Sequence, residues 1–264
     1  MTGTSSNVPG LVFTVAVTGH REIGGGLEDA ARKERETQLR GTIARVLARS
    51  VETLDTLQPA SPLDAPRGRQ LRFLSALAQG ADQLAAEAAL DLPGWQCEAL
   101  LPFAPDAYRQ TFLIGDSALD TASQDRFDSL LPRMHLTFAI DDWRWSQPVA
   151  EGYGSNSGKT AMEERHWRAR RYATVGDMLV RRADLIVALW RGTPPGGLGG
   201  TADVVSQARR SGVPIVWINP DAPEDVHSIT PDPRTAHLPI LEVARRVTNE
   251  APGESTPGGS GMDR

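Results

Sequence analysis

The chain has 264 residues, 40% of them hydrophobic and 23% charged, with a formal net charge of −5. Those proportions suit one large α/β domain or two small ones with a sizeable core, and the acidic balance argues against broad electrostatic adhesion to nucleic acid or an anionic membrane. A single cysteine, Cys97, leaves no intrachain disulfide and no cysteine-built zinc site to form.

Residues 1–10 are polar and read as a flexible start without the basic and apolar regions of a signal peptide. With no apolar run long enough to span a bilayer, the sequence predicts a soluble, cytoplasmic protein with no membrane partner. Residues 11–17 form a first predicted strand, stopped by Thr18-Gly19-His20-Arg21-Glu22 and three further glycines. A charge-rich helix is predicted over 28–57, and Ser61–Gly68 reads as a connector. Residues 71–77 form a second strand that runs through Ala78-Gln79-Gly80 into an alanine-dense helix over 81–91. Asp82 falls in that helix's first turn, where a carboxylate either complements the dipole or accepts a ligand hydroxyl. A third strand, 95–101, precedes helices near 105–114 and 121–131, and a fourth strand covers 134–140.

The linker 146–161 contains Gly154-Ser-Asn-Ser-Gly-Lys159-Thr160. It fails as a phosphate loop on count, because the position that needs glycine holds Tyr153. A helix over 163–182 carries Trp167, Tyr172, Val175, Met178 and Leu179 as an apolar stripe, with Arg168 and Arg171 on or beside it. An arginine there is placed either to meet phosphate or to snorkel over the core edge.

Residues 184–205, DLIVALWRGTPPGGLGGTADVV, organise the rest. The run 185–190 lacks polar alternation, as a parallel strand covered on both faces does. Gly196, Gly197, Gly199 and Gly200 then let the backbone turn and approach a ligand, and a helix over 201–211 presents the free N–H groups of its first turn, which favour an anion. A further strand spans 213–218. The stretch 219–248, with five prolines, carries only a short helix over 239–247, and 251–264 reads as a disordered tail.

Alternating strands and helices predict a Rossmann-like α/β three-layer sandwich over residues 11–220, with a mainly parallel sheet, helices on both faces, and residues 221–250 packing on it as an extension. In such sheets ligands bind beyond the carboxyl ends of the strands where strand order reverses. Three turns fit that place: Thr18–Glu22, Ser75–Asp82 and Gly192–Thr201. The expected ligand-binding set is Gly19, His20, Arg21, Ser75, Gly80, Asp82, Arg171, Trp190, Gly196, Gly197, Gly199, Gly200 and Thr201, with Trp190 or Trp143 stacking on a base. The five histidines (His20, His135, His166, His227, His237) show no ligand spacing, so no metal is expected.

Together, Val17-Thr18-Gly19-His20-Arg21, Ser75 through Asp82, and Ala183 through Trp190 with Gly197–Thr201 resemble the SLOG superfamily. This Rossmann-like group unites DNA-processing protein A (SMF/DprA), the cytokinin-activating LOG enzymes and bacterial ligand sensors of anti-phage and other conflict systems, the last being closest in type. The resemblance covers residues 11–218 and implies a nucleotide-type ligand, phosphate on the glycine loop and no further cofactor. An adenine or ADP-ribose-like signal, read out through a homo-oligomer or a separate effector protein, is the function it suggests. Two rivals remain: a LOG-like nucleoside 5′-monophosphate phosphoribohydrolase and DprA-like single-stranded DNA binding. The LOG acid falls on Asp203 counted from the prolines, or on Val204 counted from Thr201, and the LOG helical arginine falls on Val175, one turn after Arg171. Asp203 is therefore the candidate catalytic residue of the enzyme reading.

Overall fold

The structure, a computed structural model, describes residues 12–57, 69–113, 118–140, 161–194, 197–229 and 238–248. The expected flexible start, the connector 61–68, the Gly154–Thr160 segment, Trp143 and the tail lie outside them.

The strands are β1 (Val12–Gly19), β2 (Gln70–Ser75), β3 (Trp95–Leu101), β4 (Leu136–Ala139), β5 (Leu185–Leu189), β6 (Ile215–Asn219) and β7 (Ala222–Ile229). They form one seven-stranded sheet in the order β4-β3-β2-β1-β5-β6-β7, parallel except for β7. The central strands come from buried apolar runs, β-branched in β1, β5 and β6, and the outer strands β4 and β7 are more exposed. The fold is the expected mixed α/β type, with a mostly parallel sheet and helices around it. All five residues of β5 are buried, as its lack of alternation requires.

Helices cover both faces. One face carries α1 (Asp29–Leu57), α2 (Ala81–Leu90), α3 (Pro105–Gln110), α4 (Ala118–Leu130) and α7 (Leu238–Thr248) over Phe13, Val15, Phe73 and Cys97. The other carries α5 (Ala161–Arg182) and α6 (Thr201–Arg210) over Ala16, Leu74, Leu100 and Ile186. The alanines of α2 let that helix lie close: Ala81, Ala85, Ala86 and Ala89 are fully buried between α1 and the sheet. In α6, Val204, Val205 and Ala208 face the sheet, and Arg209 and Arg210 point away from it.

One element corrects the sequence reading. Residues 222–229 are not a proline-rich connector but β7, antiparallel to β6. Asp221 N–H donates to Asn219 Oδ1 at 3.1 Å in the reversal, and the register shifts between Ile218 and Asn219. An outermost strand with a bulge at its start tolerates Pro223, whose missing N–H would break a central ladder. The polar run Glu224-Asp225 concealed the strand because only part of β7 is buried.

Strand order reverses between β1 and β5: the chain leaves β1 toward β2 on one side and returns to β5 on the other. Asp184 fastens this junction at its start. Its backbone N–H donates to Thr14 O at 2.8 Å, and its Oδ2 accepts the Thr14 N–H at 2.8 Å. Asp184→Ala should lower stability by about 2 kcal/mol, because a buried strand amide loses its acceptor, whereas Asp184→Asn keeps an acceptor oxygen and should cost less. Urea denaturation monitored by circular dichroism measures both.

Candidate functional site

At the carboxyl ends of β1 and β5 a cavity of about 490 Å³ opens, within the range of small-molecule sites. Segments of all three turns singled out in the sequence border it: Thr18–Arg21, Ala76–Asp82 and Gly197–Thr201. The β1 turn is fixed first by backbone pairing. His20 N–H donates to Leu189 O at 3.1 Å, and His20 O accepts the Ala81 N–H at 3.1 Å. These bonds tie β1 to β5 on one side and to the head of α2 on the other.

Three of the glycines make close protein contacts that a side chain would block. A Cβ on Gly19 would stand 2.4 Å from Ala81 Cβ. On Gly80, at φ +83°, it would stand 2.1 Å from the Arg21 carbonyl oxygen. On Gly199, at φ +79°, it would stand 2.6 Å from Ala173 N and 2.7 Å from Tyr172 Cβ. At these positions the missing side chain lets one turn lie against the next, and Gly19 and Gly199 also line the cavity. Gly197 and Gly200 differ. A Cβ on Gly197 would meet nothing within 4 Å, and one on Gly200 only the Gly197 carbonyl oxygen at 3.5 Å. Gly196 lies outside the described residues.

α6 starts at Gly200 with no side-chain cap, so its first-turn amides are not held by a capping hydroxyl or carboxylate. Thr201 and Ala202 line the cavity there. Asp203, the candidate acid, accepts the Gly199 N–H at 2.9 Å through Oδ2 and holds the loop from behind; it is not among the cavity-lining residues. Ser75 is likewise fully buried off the cavity. Its hydroxyl donates to Asp82 O and accepts the Leu77 N–H, fixing a turn in which Leu77 takes φ +52°. Arg171 points to the sheet edge, donating to Ile140 O at 2.9 Å with its guanidinium 5.0 Å over Trp167. Trp190 lines the cavity and is 5% exposed, its indole N–H donating to Thr193 O. His20 accepts the Arg191 N–H on Nε2 at 3.0 Å. Burial, and then the Arg191 charge, lower the His20 pKa against the pull of Asp221, which keeps the ring neutral and able to accept.

The inner end of the cavity holds a polar group that the sequence did not reveal. Arg21 is exposed as a whole residue, yet its guanidinium lies 5.0 Å over the Tyr172 ring and hydrogen-bonds the Tyr172 hydroxyl. Burial opposes the Arg21 charge, but Tyr172, Tyr108 and Asp82 outweigh it and raise its pKa. Tyr108 is fully buried, and its hydroxyl has no hydrogen-bond partner among the described residues. Asp82, 5% exposed, is pushed up to about 7 by burial, against backbone hydrogen bonds from Ala78 and Ala76 and the Arg21 charge. Thr18 and Val175 also line the site without having been singled out for it. Tyr172 had registered only as part of an apolar stripe, and Tyr108 belongs to no motif.

Among the described residues no group of three or more metal-ligating side chains occurs, and no helix is long and apolar enough to cross a membrane. No protein-family model matches the chain, and no curated protein matches it either. Among solved structures, DNA processing protein A (DprA) from Streptococcus pneumoniae is similar at a TM-score of 0.41 and 14% identity, covering 79% of this chain and 50% of that one. The chain thus spans half the length of that neighbour, and the likeness is too distant to bear on function.

Two stability outcomes follow from this geometry. Gly80→Ala should cost at least about 2 kcal/mol, because a left-handed backbone is added to a contact with the Arg21 carbonyl that neither side can relieve, while Gly200→Ala, at φ −81° with only an ordinary 3.5 Å contact, should cost little. Between pH 4 and 7 the native state keeps the Asp82 proton that the unfolded chain has lost, so this group makes stability fall as pH rises through that window. Asp82→Asn should remove that slope and be the more stable protein at pH 8, by up to about 4 kcal/mol, in parallel denaturant titrations at pH 4.5 and 8.

Proposed function

We propose that the chain is a binding module for a nucleotide or nucleotide-derived small molecule, with phosphate on the Gly197–Thr201 loop and the head of α6. The observation that carries this reading is where the cavity lies. It opens at the strand-order reversal between β1 and β5, and there a loop with two unobstructed glycines runs into an uncapped helix start. Backbone N–H groups and the positive end of the helix dipole attract phosphate at such a point. Arg21 adds a full positive charge to the same cavity. The apolar surface of Val175, Leu179, Val204 and Trp190 suits the face of a base. The SLOG-like motifs favour a sensor of an adenine or ADP-ribose-like signal in bacterial conflict or anti-phage signalling. The partner in this reading is a second copy of the chain or a separate effector protein.

A second reading, a phosphoribohydrolase, has one observation behind it: Asp82, not Asp203, is the carboxyl on the cavity, and it titrates near neutrality as a general acid or base must. Free base released from AMP by the wild type and not by Asp82→Asn would establish it. Single-stranded DNA binding is less favoured, since Arg21 is the one Arg or Lys among the described cavity-lining residues and such sites need a basic groove.

The receptor reading is tested by thermal shift with AMP, ADP and ADP-ribose. Ligand at 100 times its dissociation constant should add about 2.7 kcal/mol of stability. Gly200→Glu, at a backbone angle (φ −81°) that any residue adopts, brings negative charge to the loop and should abolish the shift with the fold intact. No stabilisation by any of the three, or a shift untouched by Gly200→Glu, contradicts it.

A further inference from the structure

The Tyr108 hydroxyl is the one buried polar group of the cavity whose state is unexplained by the protein itself. It is shut away from solvent without a hydrogen-bond partner among the described residues, an arrangement that costs free energy unless something else completes it. Replacing the tyrosine by phenylalanine would keep the ring packing against Phe112, Phe127 and Phe103, so the ring alone does not require a hydroxyl.

Its neighbours restrict what can complete it. Tyr108, Arg21 and Asp82 line the same cavity, Arg21 lies near enough to both to act on their charge states, and the Tyr172 ring stands 6.4 Å from that of Tyr108. A group reaching all three meets a donor-only guanidinium, a carboxyl and a hydroxyl that can do either. A phosphate or carboxylate would accept from Arg21 and Tyr108 but, when ionised, has no proton to donate to the Asp82 carboxyl. An aliphatic group would satisfy none of them. A hydroxyl, and better a pair of neighbouring hydroxyls, donates to the carboxyl and accepts from Tyr108 and Arg21 together.

The rest of the cavity divides in the same sense. Tyr172 spans it, its Cβ packed under the Gly199 end of the loop and its ring lying beneath Arg21. The head of α6 presents N–H groups at Thr201 and Ala202, the Val175–Leu179–Val204 wall is apolar, and the polar groups gather at Tyr108 and Asp82. Resting on the nucleotide reading above, we propose that Tyr108, with Asp82 and Arg21, is a specificity-determining group that reads the sugar hydroxyls of the ligand, so that the site takes ribonucleotides in preference to 2′-deoxyribonucleotides. The phosphate then lies on the loop, the base against the apolar wall and the ribose between them and the Tyr108 hydroxyl.

Isothermal titration with AMP and 2′-deoxy-AMP, and with ribose 5-phosphate and 2-deoxyribose 5-phosphate as probes free of any base, tests this. The ribo form of each pair should bind about tenfold tighter, the worth of one good hydrogen bond to a buried group. Tyr108→Phe should bring the ribo form down to the level of its deoxy partner. The same variant, relieved of an unpartnered hydroxyl, should be at least as stable as the parent without ligand, which separates loss of recognition from loss of fold. Equal binding of ribo and deoxy forms by the wild type, or a preference that survives Tyr108→Phe, overturns the proposal and leaves the nucleotide reading standing. Failure of all four probes to bind overturns both.

Discussion

The rest of the site depends on one packing constraint: the turn after β1 must lie flat against the head of α2 and the end of β5 at once. Gly19 and Gly80 make it possible. A methyl group on either would stand within 2.4 Å of atoms on the opposing segment, closer than any relaxation of backbone would relieve. With those two side chains missing, His20 can pair with Leu189 through its N–H and with Ala81 through its carbonyl. The head of α2 is thereby drawn to the strand-order reversal, and with it Asp82. Gly199 repeats the device on the far wall, where the loop after β5 rests on the backbone of α5 at Tyr172 and Ala173. The cavity is the space left where three closely packed turns cannot also fill the gap between them.

That arrangement has an energetic consequence. A carboxyl at 5% exposure and an unpartnered hydroxyl are unfavourable inside a protein, and here they share one cavity. Stability in this region is supplied elsewhere, by the apolar interior of β5, the alanine face of α2 and the aromatic cluster of Phe103, Phe112, Phe127 and Tyr108. Asp82 and Tyr108 both line the cavity at the reversal point. Asp203 and Ser75 belong to the opposite class, with their polar atoms engaged by the chain's own backbone.

The sequence was informative where chemistry is local. Continuous apolar runs marked β1 to β6, glycine after a strand marked the turns, and alternation of strands with helices implied the layered sheet. β7 was not legible because an outer strand half open to solvent needs no apolar run and can carry Pro223. The packing of the glycines was illegible for a related reason: a sequence displays a missing side chain but not the atom that would have met it. Gly80 against the Arg21 carbonyl spans 59 positions of chain, and no spacing rule predicts such a contact. Tyr108 and Tyr172 come together from α3 and α5, elements whose helical stripes read as ordinary core.

The central claim is that phosphate is held by backbone N–H groups where the loop after β5 enters α6. Amide chemical shifts recorded by NMR during a titration with AMP test it most directly. The account requires the largest changes at Gly200, Thr201 and Ala202, with smaller ones at Arg21 and Asp82. Shifts confined to surfaces away from the end of β5, or no shift at millimolar ligand, would contradict it.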